Sequence, residues 1–343
     1  KSSKKHYFHL VISLPMRQSS RVHTGRSFVY ARNGGAAASQ PLAVSAAIST
    51  LNQGGSFIDA AIALSAVICV VEPGASHLGG DAFLVTHHAA SKTNLAFNGS
   101  GEAPHAATPT AYEGGIPLHG YKSGTVPGLV STWFEAHAKY GKLPFAQLLE
   151  QAIDYAENGF AANAGFVKRI AGHLLVAPET NIFRAMGVST DTKPGDLVVQ
   201  KDLARSLREI ASGGRDAFYA GRIADQLVKG SDGWFSAEDL KAHTTRVLNP
   251  LAIKYRDFTI YGQPPPTQGM ILMEELLINE RFNGELVDIK ILPNFIGHLI
   301  TGLTFTKNQT STTLGVKNND KDYRSAFQTL KVLIEKYSNF WIK

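Results

Sequence analysis

Hydrophobic positions run almost unbroken from Ile58 to Val71, where Asp59 is the only charged side chain. That pattern predicts a helix with no polar face, enclosed by protein on every side. Ser56 followed three residues later by Asp59 is a capping-box arrangement, which sets the helix start at Ser56. The apolar run is too short to cross a bilayer. Glu72-Pro73 stops it, and Gly79-Gly80 permits a sharp reversal into a short strand from Ala82 to Val85. Upstream, Ser39 to Gln53 reads as a second helix, with Ser39 as its cap, Pro41 in its first turn and Gly54-Gly55 at its end.

Downstream, Phe83 to Val85 and Asn94 to Phe97 are compact apolar runs around a polar turn, the pattern of a hairpin at a sheet edge. Lys122 to Gly128 forms an extended turn, and Leu129 to Tyr140 resumes helical spacing until Gly141. Phe145, Leu148, Leu149, Ala152, Ile153 and Ala156 make one helical stripe, closed by Gly159. Lys193 to Gly230 reads as two amphipathic helices separated by Gly213-Gly214. Ser236 and Asp239 repeat the capping box, and Pro250 to Tyr261 has the β-branched and aromatic content of strands. A proline-rich turn, Pro264 to Gly269, opens a last helix through Leu277.

A hydrophobic content of 44% over 343 residues is ample for a core, and the length allows one large domain or two ordinary ones. The net charge of +6 is unevenly spread. Lys1, Lys4, Lys5, Arg17, Arg21, Arg26 and Arg32 precede the first acidic residue, Asp59, whereas the body is mildly acidic. The basic ends read as solvated surface, and no nucleic-acid-binding motif accompanies them. Cys69, the only cysteine, lies in the apolar helix and reads as a buried inert thiol. The opening segment has the outline of a signal peptide, but His9 interrupts it and no small-residue cleavage site follows. The first methionine is Met16, which allows that the opening segment is untranslated or a fragment edge. A cytoplasmic location is the expectation.

These blocks, taken in order, resemble the gamma-glutamyltranspeptidase family. The residues that carry the likeness are Gly54, Gly55, Asp59, Ala60 and Ala61, then Val71, Glu72 and Pro73, then Gly79, Gly80, Asp81 and Phe83. The blocks GKLPFAQLLEQAIDYAENGF (residues 141–160), KPGDLVVQKDLA through GRIADQL, and PPPTQG are similar to later family blocks. The resemblance covers roughly residues 29–282 and implies the large-subunit portion of an α+β, αββα N-terminal-nucleophile hydrolase sandwich, with helical layers better represented than the sheets. It divides the chain into a basic segment 1–28, a large-subunit-like domain 29–282 and a divergent tail 283–343.

The same resemblance implies acyl transfer to, or hydrolysis of, a gamma-glutamyl amide such as glutathione. In such enzymes self-cleavage exposes a threonine whose own amine serves as base, while backbone amides hold the oxyanion. That threonine belongs to a small subunit. Here Thr312-Thr313 is the only local echo of such a start, and Leu314 stands where histidine would follow. We read Thr312 as part of a polar loop and assign no catalytic residue within the chain. A small subunit in trans, or a missing C-terminal half, is the implied partner. Ser100 and Glu102, in NGSGEAP, occupy positions where the family or a related branch places a carboxylate-binding arginine. They are the candidate substrate-binding residues, although Asn98 to Pro104 also reads as an ordinary strand end and turn. A glutamate repels a carboxylate unless it is protonated or bridged by a cation.

His77 sits where the family usually has glycine, and a positive φ there would strain it. Glu72 reads as structural, capping or pairing with a nearby amide. Other chemistries lack their patterns: Gly74 to Leu78 is no G-x-S-x-G elbow, and His87-His88 has no metal-ligand spacing. No cofactor or metal is expected, and the Asn98 and Asn308 sequons matter only after secretion. A non-catalytic relative that binds a ligand or a subunit is the alternative reading.

Overall fold

The capped apolar helix organises the fold. In the computed structural model, which describes residues 30–176, 183 and 186–281, it runs over Phe57–Val71 (α2). Ser56 caps it, and both halves of the capping box are made: Asp59 N–H donates to Ser56 Oγ at 3.0 Å and Ser56 N–H donates to Asp59 Oδ2 at 2.8 Å. The same Oδ2 accepts the amides of Lys142 and Leu143 at 2.9 and 3.1 Å. One fully buried carboxylate therefore ties the start of α2 to the loop between two later helices.

The chain divides into two units, residues 1–35 and 36–343. In the first, the described residues 30–35 form no helix or strand. In the second, α1 (Pro41–Asn52) packs against α2. Its cap is Gln40, not the expected Ser39: the Gln40 side chain accepts from the Leu42 amide. Ser39 instead donates its hydroxyl to Glu72 Oε2 at 2.6 Å, joining the two helices. After α2 come the antiparallel strands β1 (Phe83–His88) and β2 (Thr93–Asn98), then α3 (Leu129–Tyr140) and α4 (Phe145–Asn158). Gly159 ends α4 at φ 94°, which favours glycine.

Short β3 (Phe160–Ala161), helix α5 (Ala164–Val176) and β4 (Leu197–Val198) follow, with β3 and β4 paired. The span Lys201–Tyr219 (α6) is two helical segments joined across a kink at Gly214, whose φ is 69°, so the expected break at Gly213-Gly214 is present, and α7 (Arg222–Gly230) is a further helix. Residues on both sides of the kink, Ala204, Leu207, Ile210 and Phe218, are buried in the same core. Then α8 (Ala237–Ala242) carries the second capping box, and β5 (Arg246–Leu248) joins the first sheet in the order β1-β2-β5. A hairpin of β6 (Leu251–Tyr255) and β7 (Phe258–Gly262) precedes α9 (Gly269–Arg281), which extends beyond the expected Leu277.

The main core gathers around α2. Ile62, Val67 and Val70 pack with Phe97 of β2, Trp133 of α3 and Leu149 of α4 in one cluster. Gln200 closes it from α6, donating its side-chain amide to Val70 O at 2.7 Å. Burial pushes the Cys69 thiol up to about 12, so it is the inert side chain the sequence implies. A second cluster, Leu251, Met270 and Met273, joins β6 to α9. No helix among the described residues is long and apolar enough to cross a membrane.

Glu274 of α9 is 3% exposed, and burial raises its pKa from 4.5 to about 7. A carboxyl raised in the folded state contributes stability that is full below 4.5 and is lost as pH rises through 7. Glu274→Gln should therefore stabilise the protein by about 1 kcal/mol at pH ~8 and by little at pH ~4. Urea unfolding at the two pH values measures the difference, and an equal offset at both contradicts the assignment.

Candidate functional site

Three turns meet at the N-terminus of α3, and their backbones touch. Gly80 O accepts the amides of Gly128 and Leu129 at 3.0 and 2.9 Å, so the glycine turn after α2 supplies the acceptor that this helix start needs. Gly99 N–H donates to Ala82 O at 3.0 Å, and Val126 N–H donates to Glu102 O at 3.0 Å. No side chain fits at the contacts. A Cβ on Gly99 would lie 1.8 Å from Thr132 Oγ1, one on Gly101 1.6 Å from Val126 O, and one on Gly128 1.7 Å from Gly99 O.

Buried hydroxyls brace the junction from behind. Tyr219 of α6 donates to Pro127 O at 2.8 Å and accepts the Ser131 amide at 3.0 Å. Desolvation raises the pKa of its phenol, so it stays a neutral strut. Ser131, Thr132 and Thr245 form a buried network: Thr245 Oγ1 donates to Ser131 Oγ at 3.0 Å and lies 3.1 Å from Thr132 Oγ1. From the other side, Asn98 Nδ2 donates to Pro265 O at 3.2 Å and Gln263 Nε2 donates to Phe97 O at 3.2 Å, which docks the proline-rich turn on β2.

Both candidate residues stand on this junction. Asn98 Oδ1 accepts the Ser100 amide at 3.0 Å, closing the turn that follows β2. Asp81 holds it in place: Oδ1 accepts the Gly101 amide at 3.1 Å and Oδ2 accepts the Ser100 hydroxyl at 3.5 Å. Glu102 follows with an exposed side chain. His77, at the outer edge, has no positive φ, so the expected strain is absent; its ring lies over Gly79 and Gly80 instead. Glu72 has the structural partner described above, Ser39. Thr312 and the tail lie outside the described residues.

The sequence reading missed His243. It is 5% exposed, it stacks on Tyr219 with ring centroids 5.8 Å apart, and a Cβ on Gly128 would lie 3.1 Å from its Nε2. That Nε2 is buried without a hydrogen-bond partner. Burial lowers the His243 pKa, with Arg215 acting in the same direction, while the charges of Asp81 and Glu102 pull it back up. Arg215 is occupied elsewhere: its guanidinium sits 4.4 Å from the Tyr219 ring centroid and donates to the His243 carbonyl. The only sequence signal for His243 was its place four residues after the capping Asp239, too weak to mark a site. Asp239 itself is structural. Burial raises its pKa, but the Ser236 amide and hydroxyl and His105 outweigh that and hold it at about 2.

The layers around this junction define the class, the large-subunit portion of an N-terminal-nucleophile hydrolase fold. The chain belongs to the gamma-glutamyltranspeptidase family, whose model matches residues 43–337. It is similar to the glutathione hydrolase-like YwrD proenzyme of Bacillus subtilis, at 37% identity over 243 residues, which is 68% of this chain and 46% of that protein. Among solved structures, the gamma-glutamyltranspeptidase of Pseudomonas nitroreducens complexed with L-DON superposes with a TM-score of 0.70 at 29% identity, covering 76% of this chain and 80% of that one. The cephalosporin acylase of Bacillus halodurans gives 0.72 at 32% identity, covering 78% and 52%. The chain spans about half the length of the curated relatives it matches.

Gly128→Ala should destabilise the protein by about 2–4 kcal/mol, because its methyl group meets a backbone oxygen that cannot yield. Gly114→Ala, with nothing within 4 Å of its Cβ position, should change stability by less than about 0.5 kcal/mol. Thermal unfolding of the pair tests the junction, and equal effects contradict it. His243 has a depressed folded-state pKa, so the unfolded chain takes up the proton first and stability falls as pH drops through about 6.5. His243→Gln should lessen the fall in melting temperature between pH ~7 and ~5.5, and an unchanged fall would discount His243 as a source of acid sensitivity.

Proposed function

We propose that this chain is the substrate-orienting portion of a gamma-glutamyltransferase or gamma-glutamyl amidohydrolase, acting on an amide such as glutathione. The threonine nucleophile comes from a small subunit in trans or from the C-terminal half that the longer relatives carry. One observation supports the reading above the others. The GGD turn, the NGSGEAP turn and the VPG turn, each from a separate family-like block, meet at one backbone junction. The names of relatives as glutathione hydrolase proenzymes support the same chemistry.

The junction's chemical contribution is rigidity. A positioned acyl group needs fixed groups around it, and here backbone hydrogen bonds, not flexible side chains, fix the turn that carries Ser100 and Glu102. A second reading, a non-catalytic relative that binds a ligand or subunit, is favoured by Glu102. It places a negative charge where the resemblance leads one to expect an arginine.

A chromogenic gamma-glutamyl anilide separates the two. The purified chain alone should release no anilide, and the chain mixed with a separately produced small subunit of a close relative should release it. No release in either mixture would sink the enzymatic reading for this substrate class.

The partner reading has its own support in β1. Among the described residues this strand is paired on one side only, and Phe83 and Val85 on it are 43% and 44% exposed. Such an edge associates with other strands unless covered. The lone chain should self-associate in light scattering, and replacing both residues with lysine should reduce it. A wild-type chain that is a compact monomer would count against a covered β1.

A further inference from the structure

Asn98 is the last residue of β2, the central strand of the first sheet, where it pairs with Phe83 of β1 and with Arg246 of β5. Its backbone is therefore fixed from both sides, and its side chain is 1% exposed. The two ends of that side chain serve different segments. Oδ1 accepts the Ser100 amide at 3.0 Å, inside the turn that carries Ser100 and Glu102. Nδ2 donates to Pro265 O at 3.2 Å, in the proline-rich turn 167 positions away.

The chemistry of the two contacts is strict. An amide N–H only donates and a carbonyl only accepts, so the group between Ser100 and Pro265 has to offer one acceptor and one donor. A neutral carboxamide supplies both. A carboxylate lacks the donor, and an alkyl group lacks both. Asn98-Gly99-Ser100 is also a glycosylation sequon, and Nδ2 is the atom a glycan would occupy. That atom is already bonded in a buried side chain, so the folded chain uses Asn98 as a bridge and not as a glycan carrier. Beyond Pro265 the bonds continue. Thr267 Oγ1 donates to Gln263 O at 3.1 Å and accepts the Gly269 amide at 3.2 Å, where α9 begins. Contacts thus run from Ser100 through Asn98 and the proline-rich turn to the start of α9.

We propose that Asn98 is a positioning residue. Its carboxamide holds the turn bearing Ser100 and Glu102 in register with the proline-rich turn, so that an acyl group oriented by the first turn meets a nucleophile introduced beside the second. This role rests on reading the junction as the substrate-orienting part of the chain, and it names the side chain that couples that part to the nucleophile's side.

Asn98→Asp tests the bridge with a built-in control. The charged carboxylate keeps the acceptor for Ser100 and loses the donor for Pro265, whereas the protonated form regains an O–H donor. Burial beside a carbonyl holds this carboxyl above the ordinary ~3.9 in the folded chain, so the bridge is restored as pH falls through the folded value and lost as pH rises through it. Exchange of the Gly269 amide, followed by NMR against wild type at the same pH, should be about tenfold faster in Asn98→Asp at pH ~8 and within about twofold at pH ~5. Exchange at Ser100 should stay at the wild-type rate at both. Asn98→Ala should speed both amides at both pH values.

Turnover gives the second readout. In the small-subunit mixture, Asn98→Asp should lower kcat for anilide release about tenfold at pH ~8, with KM within about twofold, and regain most of that loss at pH ~5, each relative to wild type. Asn98→Ala should show no recovery. A Gly269 amide that exchanges at the wild-type rate in both variants, a kcat ratio in Asn98→Asp that does not change with pH, or a loss confined to KM would each overturn the proposal. A wild-type mixture that releases no anilide removes the gamma-glutamyl reading, and the Gly269 exchange, which needs no turnover, still upholds or overturns the bridge.

Discussion

The site depends on the contact of three backbones at Gly80, Gly99 and Gly128. Two amides at the start of α3 share one carbonyl on the turn that follows α2, and the turn after β2 lies against both with no room for a Cβ. Backbone-to-backbone contact of this closeness removes the freedom that side-chain contacts leave. It is why the positions of Asp81, Ser100 and Glu102 are set by the fold and not by the rotamers of intervening residues.

Everything around the junction serves to keep it closed. Asp59, buried at the start of α2, accepts three amides on one oxygen and so fixes the helix whose far end leads into the glycine turn. Tyr219 clamps the other side, bonded to both Pro127 and Ser131, and its ring carries His243 and Arg215 on top. Buried polar groups of this kind stabilise only when satisfied, and most here are. His243 Nε2 and Asp59 Oδ1 are exceptions.

Local signals with a short physical reach were legible in the sequence. The capping boxes at Ser56 and Ser236 and the positive-φ glycine after α4 depend on residues a few positions apart, and each forms as the pattern implies. The cap of α1 was misplaced by one residue because Ser39 finds a better acceptor in Glu72, which is 33 positions away. The break at Gly213-Gly214 was legible as well, because Gly214 takes a φ of 69°, a conformation that favours glycine. At the site, the motifs marked Ser100 and Glu102 but not His243, Arg215 or Tyr219. Those three come from segments more than a hundred residues from the turn after β2, and only packing brings them there. Glycines 99, 101 and 128 looked like ordinary turn residues, since close approach by a distant backbone leaves no local trace.

Amide hydrogen exchange, resolved by residue with NMR, tests the central claim most directly, because a junction closed by shared backbone contacts must open as one unit. The account predicts that Gly99, Gly101, Val126, Gly128 and Leu129 exchange with similar, high protection, matching the buried start of α3. Fast exchange at Gly101 and Val126, at the rate of exposed loops, beside strong protection at Gly128 and Leu129 would contradict it. In that case the turn bearing Ser100 and Glu102 would be a mobile loop resting on the helix, not part of a preformed site.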